Sequence, residues 1–224
     1  MIQAIAETVF DVLYLGFALT AGFMMLTRGQ TALVKKLGWM AFVLGAGDAF
    51  HLVPRSYALF TTGLEANAAA LGIGKLVTSV TMTVFYLLLY AVWRDYFGIE
   101  GRKNLTIILY TLAALRIGFC LLPQNEWLTY HQPLQYGILR NVPFVGIGII
   151  LIVLFAKSTK QTGLMAFRYL PVAVALSFGF YLPVVLFSAV MPVIGMLMIP
   201  KTLAYVWMIW MGVQVYRQTD GRAS

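Results

Sequence analysis

The chain of 224 residues is 61% hydrophobic and only 11% charged, with a mean hydropathy of +0.83. A soluble domain carries about a quarter charged residues, so that class is excluded and an integral membrane protein is expected. A single cysteine, Cys120, rules out an intrachain disulfide and a thiolate metal cluster. Two histidines, His51 and His131, rule out a three-histidine zinc site. The formal charge of +8 needs no nucleic-acid partner, because basic loops in a membrane protein first report orientation.

Crossing about 30 Å of hydrocarbon takes about 20 largely apolar residues. Only helices or closed barrels satisfy their backbone there. The first such stretch is Ile5–Leu26, with Glu7 and Asp11 one turn apart on one face. The segment before it lacks a basic region and carries Glu7, the wrong polarity for a cleaved signal peptide, so it is expected to be a mature span. The second, Leu33–Val53, ends with Asp48, His51 and Arg55 at helical spacings that put them on one face. The third, Ala69–Trp93, starts with Lys75 and Ser79 on a shared face; the fourth, Leu105–Leu122, ends with Arg116 and Cys120 on another.

A polar connection, Pro123–Gly137, follows, with Glu126 and His131, and could cap a pocket. The fifth stretch, Val142–Phe155, is short and is expected to recruit Leu139 to Asn141, next to Arg140. The sixth is Phe167–Val190. The seventh, Val193–Val215, holds Lys201 and Tyr205 on one face. The fold expected is therefore all-α: one domain, 1–224, forming a seven-helix transmembrane bundle.

Connections sort by charge. Arg28, Lys35, Lys36, Arg94, Arg102, Lys103, Lys157, Lys160, Arg168, Arg217 and Arg222 all fall on one side, and the other side has chiefly Arg55 and Arg140. The positive-inside rule then puts the N-terminus outside and the C-terminus in the cytoplasm. Compact loops point to a bacterial cytoplasmic membrane.

With that orientation, nearly every ionisable residue inside a span lies in its outer half. Intramembrane charges are expensive and mark function by default. The structural alternative is ion pairing that locks helices together, or snorkelling for Arg55, Arg140, Glu7 and Lys75. Acids in the layer are Glu7, Asp11, Asp48, Glu65 and Glu126; bases are Arg55, Lys75, Arg116, Arg140 and Lys201. The buried excess of cations suits a phosphate or carboxylate. Expected partners are membrane lipids, with an anionic lipid or small anion as ligand; no cofactor and no metal is expected, and the oligomeric state is left open.

The segment Gly47-Asp48-Ala49-Phe50-His51-Leu52-Val53-Pro54-Arg55 resembles the Gly-Asp-Ala-x-x-Leu-x-Pro-Arg stretch of bacterial members of the lysoplasmalogenase family. A glycine-bearing, aromatic-rich helix follows, here with Gly72, Gly74, Phe85 and Tyr86. That resemblance implies a polytopic membrane hydrolase that cleaves the vinyl ether of lysoplasmalogens, with Asp48 the residue carried over. The following helix has Ser, Thr and Met where family members generally have a histidine.

Ether or ester cleavage needs a proton-transfer group and a cation beside developing negative charge. The expected assignment makes Asp48 the proton-transfer residue, tuned by His51, with Asp11 a second carboxylate. Lys75, Arg116, Arg140 and Lys201 would hold phosphate, with Arg55, Ser79 and Tyr205 beside them. Competing readings are a ligand-sensing receptor, a carrier with helices broken at Pro143, Pro171, Pro183 or Pro200, a metal hydrolase using Asp48, His51 and His131, and a retinal protein through Lys201.

Overall fold

The computed structural model describes residues 2–188 and 190–220, and Arg222 lies outside them. Seven α-helices run through the described chain: α1 (Ile2–Arg28), α2 (Ala32–Phe60), α3 (Ala68–Tyr96), α4 (Lys103–Cys120), α5 (Leu134–Thr162), α6 (Leu170–Phe187) and α7 (Met198–Thr219). Short 3-10 turns at Pro123–Asn125 and Pro192–Leu197 precede α5 and α7. Each helix belongs to a segment long and apolar enough to cross a membrane. No strand occurs among the described residues.

Most helices outrun the apolar stretches that announce them. Polar residues at a span's end still hydrogen-bond best within their own helix, so α2 continues past Val53 to Phe60 and α5 covers far more than Val142–Phe155. α6 is shorter than its stretch, and the first residues of the expected seventh span form the 3-10 turn instead. Pro171, early in α6, and Pro192, early in that turn, sit where a missing N–H is harmless. Pro143 and Pro183 lie inside α5 and α6 without breaking either helix. Termini carry ordinary caps: the Thr31 hydroxyl accepts from the Val34 N–H at 3.2 Å, and Gly163 ends α5 with φ 71°.

Consecutive helices pack on each other, and α7 returns to α1 and α2 to close the bundle; α3 also touches α5. The tightest seam joins α2 and α3. Pro54 has no N–H, which leaves the Phe50 carbonyl without its usual partner. Gly74 of α3 packs against that carbonyl so closely that a β-carbon there would collide with it. Gly47 packs equally closely on Thr81, and the Thr78 hydroxyl donates to the Gly47 carbonyl at 3.1 Å. Small residues permit such approach in lipid, where van der Waals contact drives association. The Gly47–Pro54 segment is thus a packing device that also fixes Asp48 between neighbours.

The bundle's two ends differ. At the N-terminal end, Arg55 pairs with Glu7 at 3.0 Å, and the loop after α4 lays the Trp127 carbonyl against Gly72. At the opposite end gather Arg28, Lys35, Lys36, Arg94, Arg102, Lys103, Lys157, Lys160, Arg168 and Arg217. There Lys36 pairs with Asp95 at 2.5 Å, and the Asp220 carboxylate accepts from the Gln30 N–H at 2.7 Å.

Candidate functional site

One polar residue from every helix enters a single layer, nearer the N-terminal end of the bundle than the basic end: Tyr14, Asp48, Ser79, Arg116, Asn141, Tyr181 and Lys201. Starting from α1, the Tyr14 hydroxyl donates to Asp48 Oδ2 at 2.7 Å. The strongest opposing charge acting on Asp48 is Lys201 of α7, which is not within the 4 Å of a direct ion pair. The Lys201 ammonium instead faces two rings, 5.2 Å from the centre of Tyr181 and 5.1 Å from that of Tyr205.

Tyr181 carries the chain onward. Its hydroxyl donates to Asn141 Oδ1 at 3.0 Å, and Arg116 Nη1 donates to that same oxygen at 3.1 Å. Arg116 Nε reaches the Ser79 carbonyl at 3.4 Å, and its guanidinium lies 3.4 Å from the centre of the Phe144 ring. Asn141 is itself fixed by donating to the Gly137 carbonyl at 2.7 Å.

Asp48, Arg116 and Lys201 are 7%, 2% and 6% exposed, the only buried acidic or basic side chains among the described residues. They set two bases against one acid. Arg116 is satisfied by acceptors, whereas Lys201 makes no hydrogen bond to any described residue.

A second tier lies closer to the helix ends. Asp11 is half-buried in the field of Arg55, Glu7 and Asp48. Lys75, exposed on α3, and Arg140, half-buried on α5, act on each other electrostatically. Arg140 donates to Asn125 Oδ1 at 2.7 Å and stacks 4.4 Å from the Trp127 ring centre, but among the described residues neither it nor Lys75 meets a carboxylate within 4 Å. Cys120 is buried beneath. The connection 123–137 does cap something, though not a pocket: Asn125 donates to the Phe119 and Leu122 carbonyls at 2.7 and 2.8 Å, and Trp127 Nε1 to the Cys120 carbonyl at 2.8 Å. The Phe119 and Cys120 carbonyls are among those that α4 leaves open at its C-terminus.

Several expectations need correction. His51 shares a helix face with Asp48 in sequence, yet its Nδ1 lies 3.3 Å from the Leu71 carbonyl, turned towards α3, while Asp48 turns towards α1. A step of three residues rotates a helix by about 300°, enough to split two residues between neighbours. Asp48, Asp11 and His51 therefore share no hydrogen bond. Glu65, Glu126 and His131 are exposed and outside the layer. No three of His, Cys, Asp and Glu converge among the described residues.

Spacing alone did not single out Tyr14 and Tyr181. Their signal is generic: a tyrosine buried in a span needs a partner for its hydroxyl. Nor do two surface depressions belong to the layer. A groove of about 620 Å3 between α1 and α2 is apolar, lined by Leu19, Phe23, Phe42 and Ala46 among others, and one of about 440 Å3 opens at the basic end.

Chemically, the layer offers a carboxylate oriented by a phenol, an ammonium with donors to spare, and a positioned guanidinium. No family model, no curated protein and no solved structure matches the chain.

Proposed function

We propose that this protein is a hydrolase of a bacterial cytoplasmic membrane, N-terminus outside, that takes the anionic head of an amphiphile into its polar layer and cleaves it, as lysoplasmalogenase-like enzymes do. The observation that carries this reading is the imbalance of buried groups: two bases, Arg116 and Lys201, against one acid, Asp48, with the Lys201 ammonium set against the Tyr181 and Tyr205 rings and in no ion pair with a described residue. A phosphate or carboxylate oxygen supplies both a balancing charge and an acceptor. Lys75 and Arg140, at the accessible edge and free of acids, receive the headgroup first. Arg116 and Lys201 stand deeper, with Ser79 and Tyr205 beside them.

In this reading Asp48 transfers the proton and Tyr14 holds its carboxylate in place. Asp11 and its Arg55 neighbour set the field above it. A lysophospholipid or ether lipid is the substrate class, its chain lying between helices. Binding without conversion, as in a receptor or carrier, is favoured by one observation: His51 is engaged with the Leu71 carbonyl and not with Asp48, so no base-to-acid relay is prebuilt.

The test uses purified protein with lysophosphatidylglycerol and, as an uncharged control, monoacylglycerol, reading binding and products by mass spectrometry. Preferential binding of the anionic lipid, about tenfold weaker in Arg116→Gln, supports the site. Turnover abolished in Asp48→Asn with binding retained supports the hydrolase. Binding without any product assigns the receptor or carrier reading, and equal binding of the two lipids sinks the anionic site.

A further inference from the structure

At the basic end, far from the polar layer, the segment 165–169 just before α6 and the second half of α7 border an open cleft of about 440 Å3. Its walls include Met165, Tyr169, Trp207 and Trp210, and its mouth the amides of Gln214 and Gln218. The Tyr169 and Trp207 rings are stacked, 5.9 Å between centres and 28° between planes, so the ring just before α6 extends that of α7 into a continuous wall. Arg168 lies 5.2 Å from the centre of Tyr169, and Arg217 5.3 Å from that of Trp210. Two cations thus border two of the rings that form the cleft. Neither guanidinium meets a carboxylate within 4 Å among the described residues.

Each part answers a part of one ligand. Aromatic and methionine surface suits acyl chain and glycerol carbons, exposed amides suit ester and hydroxyl oxygens, and two unpaired guanidinium groups suit phosphate. Aromatic residues near a membrane boundary anchor a helix by themselves; arginines stacked on such rings without acids, around a concave space, add a demand for negative charge. From this we infer a binding site for an anionic glycerophospholipid of the phosphatidylglycerol type, separate from the polar layer and independent of any reaction there. Charge complementarity selects a lipid over a second copy of this chain, whose matching face would bring Arg168 and Arg217 against their own kind.

The test is native mass spectrometry of the delipidated protein titrated with phosphatidylglycerol and, separately, phosphatidylethanolamine. The expected result is a discrete one-lipid complex with the anionic lipid, weakened about twentyfold in Arg168→Gln/Arg217→Gln. The double variant changes exposed side chains only and should keep the parental unfolding temperature. Equal retention of both lipids, or an unchanged phosphatidylglycerol complex in the variant, overturns the site. A dimer lost in Trp207→Ala would assign the cleft to a second copy instead. Bromine-labelled phosphatidylglycerol gives a second readout, since it should quench tryptophan fluorescence less in Trp207→Phe/Trp210→Phe than in the parent.

Discussion

The same seven helices are held together by different chemistry at their two ends. Towards the N-terminal end polar contacts cross between helices beside a ring cluster that includes Phe144 and Tyr181: Tyr14 to Asp48, Arg116 and Tyr181 to Asn141, Glu7 to Arg55. Towards the basic end the contacts are largely aromatic, with Tyr96, Phe97, Phe155 and Phe167 meeting edge to face at 4.8 to 6.0 Å. Ring packing with one tryptophan hydrogen bond, Trp93 to Ser158 at 2.9 Å, suffices to join α3 and α5 there. A bundle that can be closed by rings does not need buried charge to fold, and buried ions often contribute less than apolar replacements of equal volume. Confining the buried charge to one end, with two bases against one acid, therefore reads as an arrangement kept for a ligand.

Removing the shared acceptor breaks that comparison most strongly. Asn141→Leu leaves Arg116 and Tyr181 without their common oxygen, and unfolding in detergent should show a loss of about 3 to 5 kcal/mol. Binding of an anionic amphiphile should fall with it. At the other end Phe155→Ala removes a fully buried ring and should lower stability by about 3 kcal/mol while leaving that binding intact. If both variants lose stability and binding in equal proportion, the two ends are not functionally distinct.

The seam between α2 and α3 sharpens the contrast. Gly74→Ala drives a β-carbon into the Phe50 carbonyl, which is backbone and yields only by separating the helices; a loss of about 2 kcal/mol is expected. Gly16→Ala, with nothing within 4 Å of the added carbon, should change thermal stability by less than about 0.5 kcal/mol. Smallest is the exposed Lys36–Asp95 pair, 38% and 31% accessible, where Lys36→Ala should cost at most about 1 kcal/mol and less still in high salt.

Hydropathy made the architecture readable, because a span must be apolar for some twenty residues whatever it packs against. Boundaries were less legible: polar residues such as Lys157 or Gln161 extend α5 without raising hydropathy, and Pro192 diverts the start of the seventh span. Helical spacing placed Asp48, Arg116 and Lys201 correctly near one end. It failed for His51, since face-sharing along one helix does not say which neighbour receives each residue. Tyr14 and Tyr181, which tie α1 and α6 into the layer, were hidden because tyrosine is also an ordinary packing residue in membranes. The Gly47–Pro54 segment was legible as a motif, but its packing reason needed Gly74 from the next helix.

The most direct measurement compares the parent with Asp48→Asn/Lys201→Met, a pair of changes that removes both charges and keeps a side chain for Tyr14 to contact. Lysophosphatidylglycerol binding and thermal unfolding are read on the same samples. The account predicts a fold at least as stable as the parent and binding reduced to the level of the uncharged lipid. A variant that is clearly destabilised yet binds at the parental affinity would contradict it, leaving the layer as a structural network with no ligand.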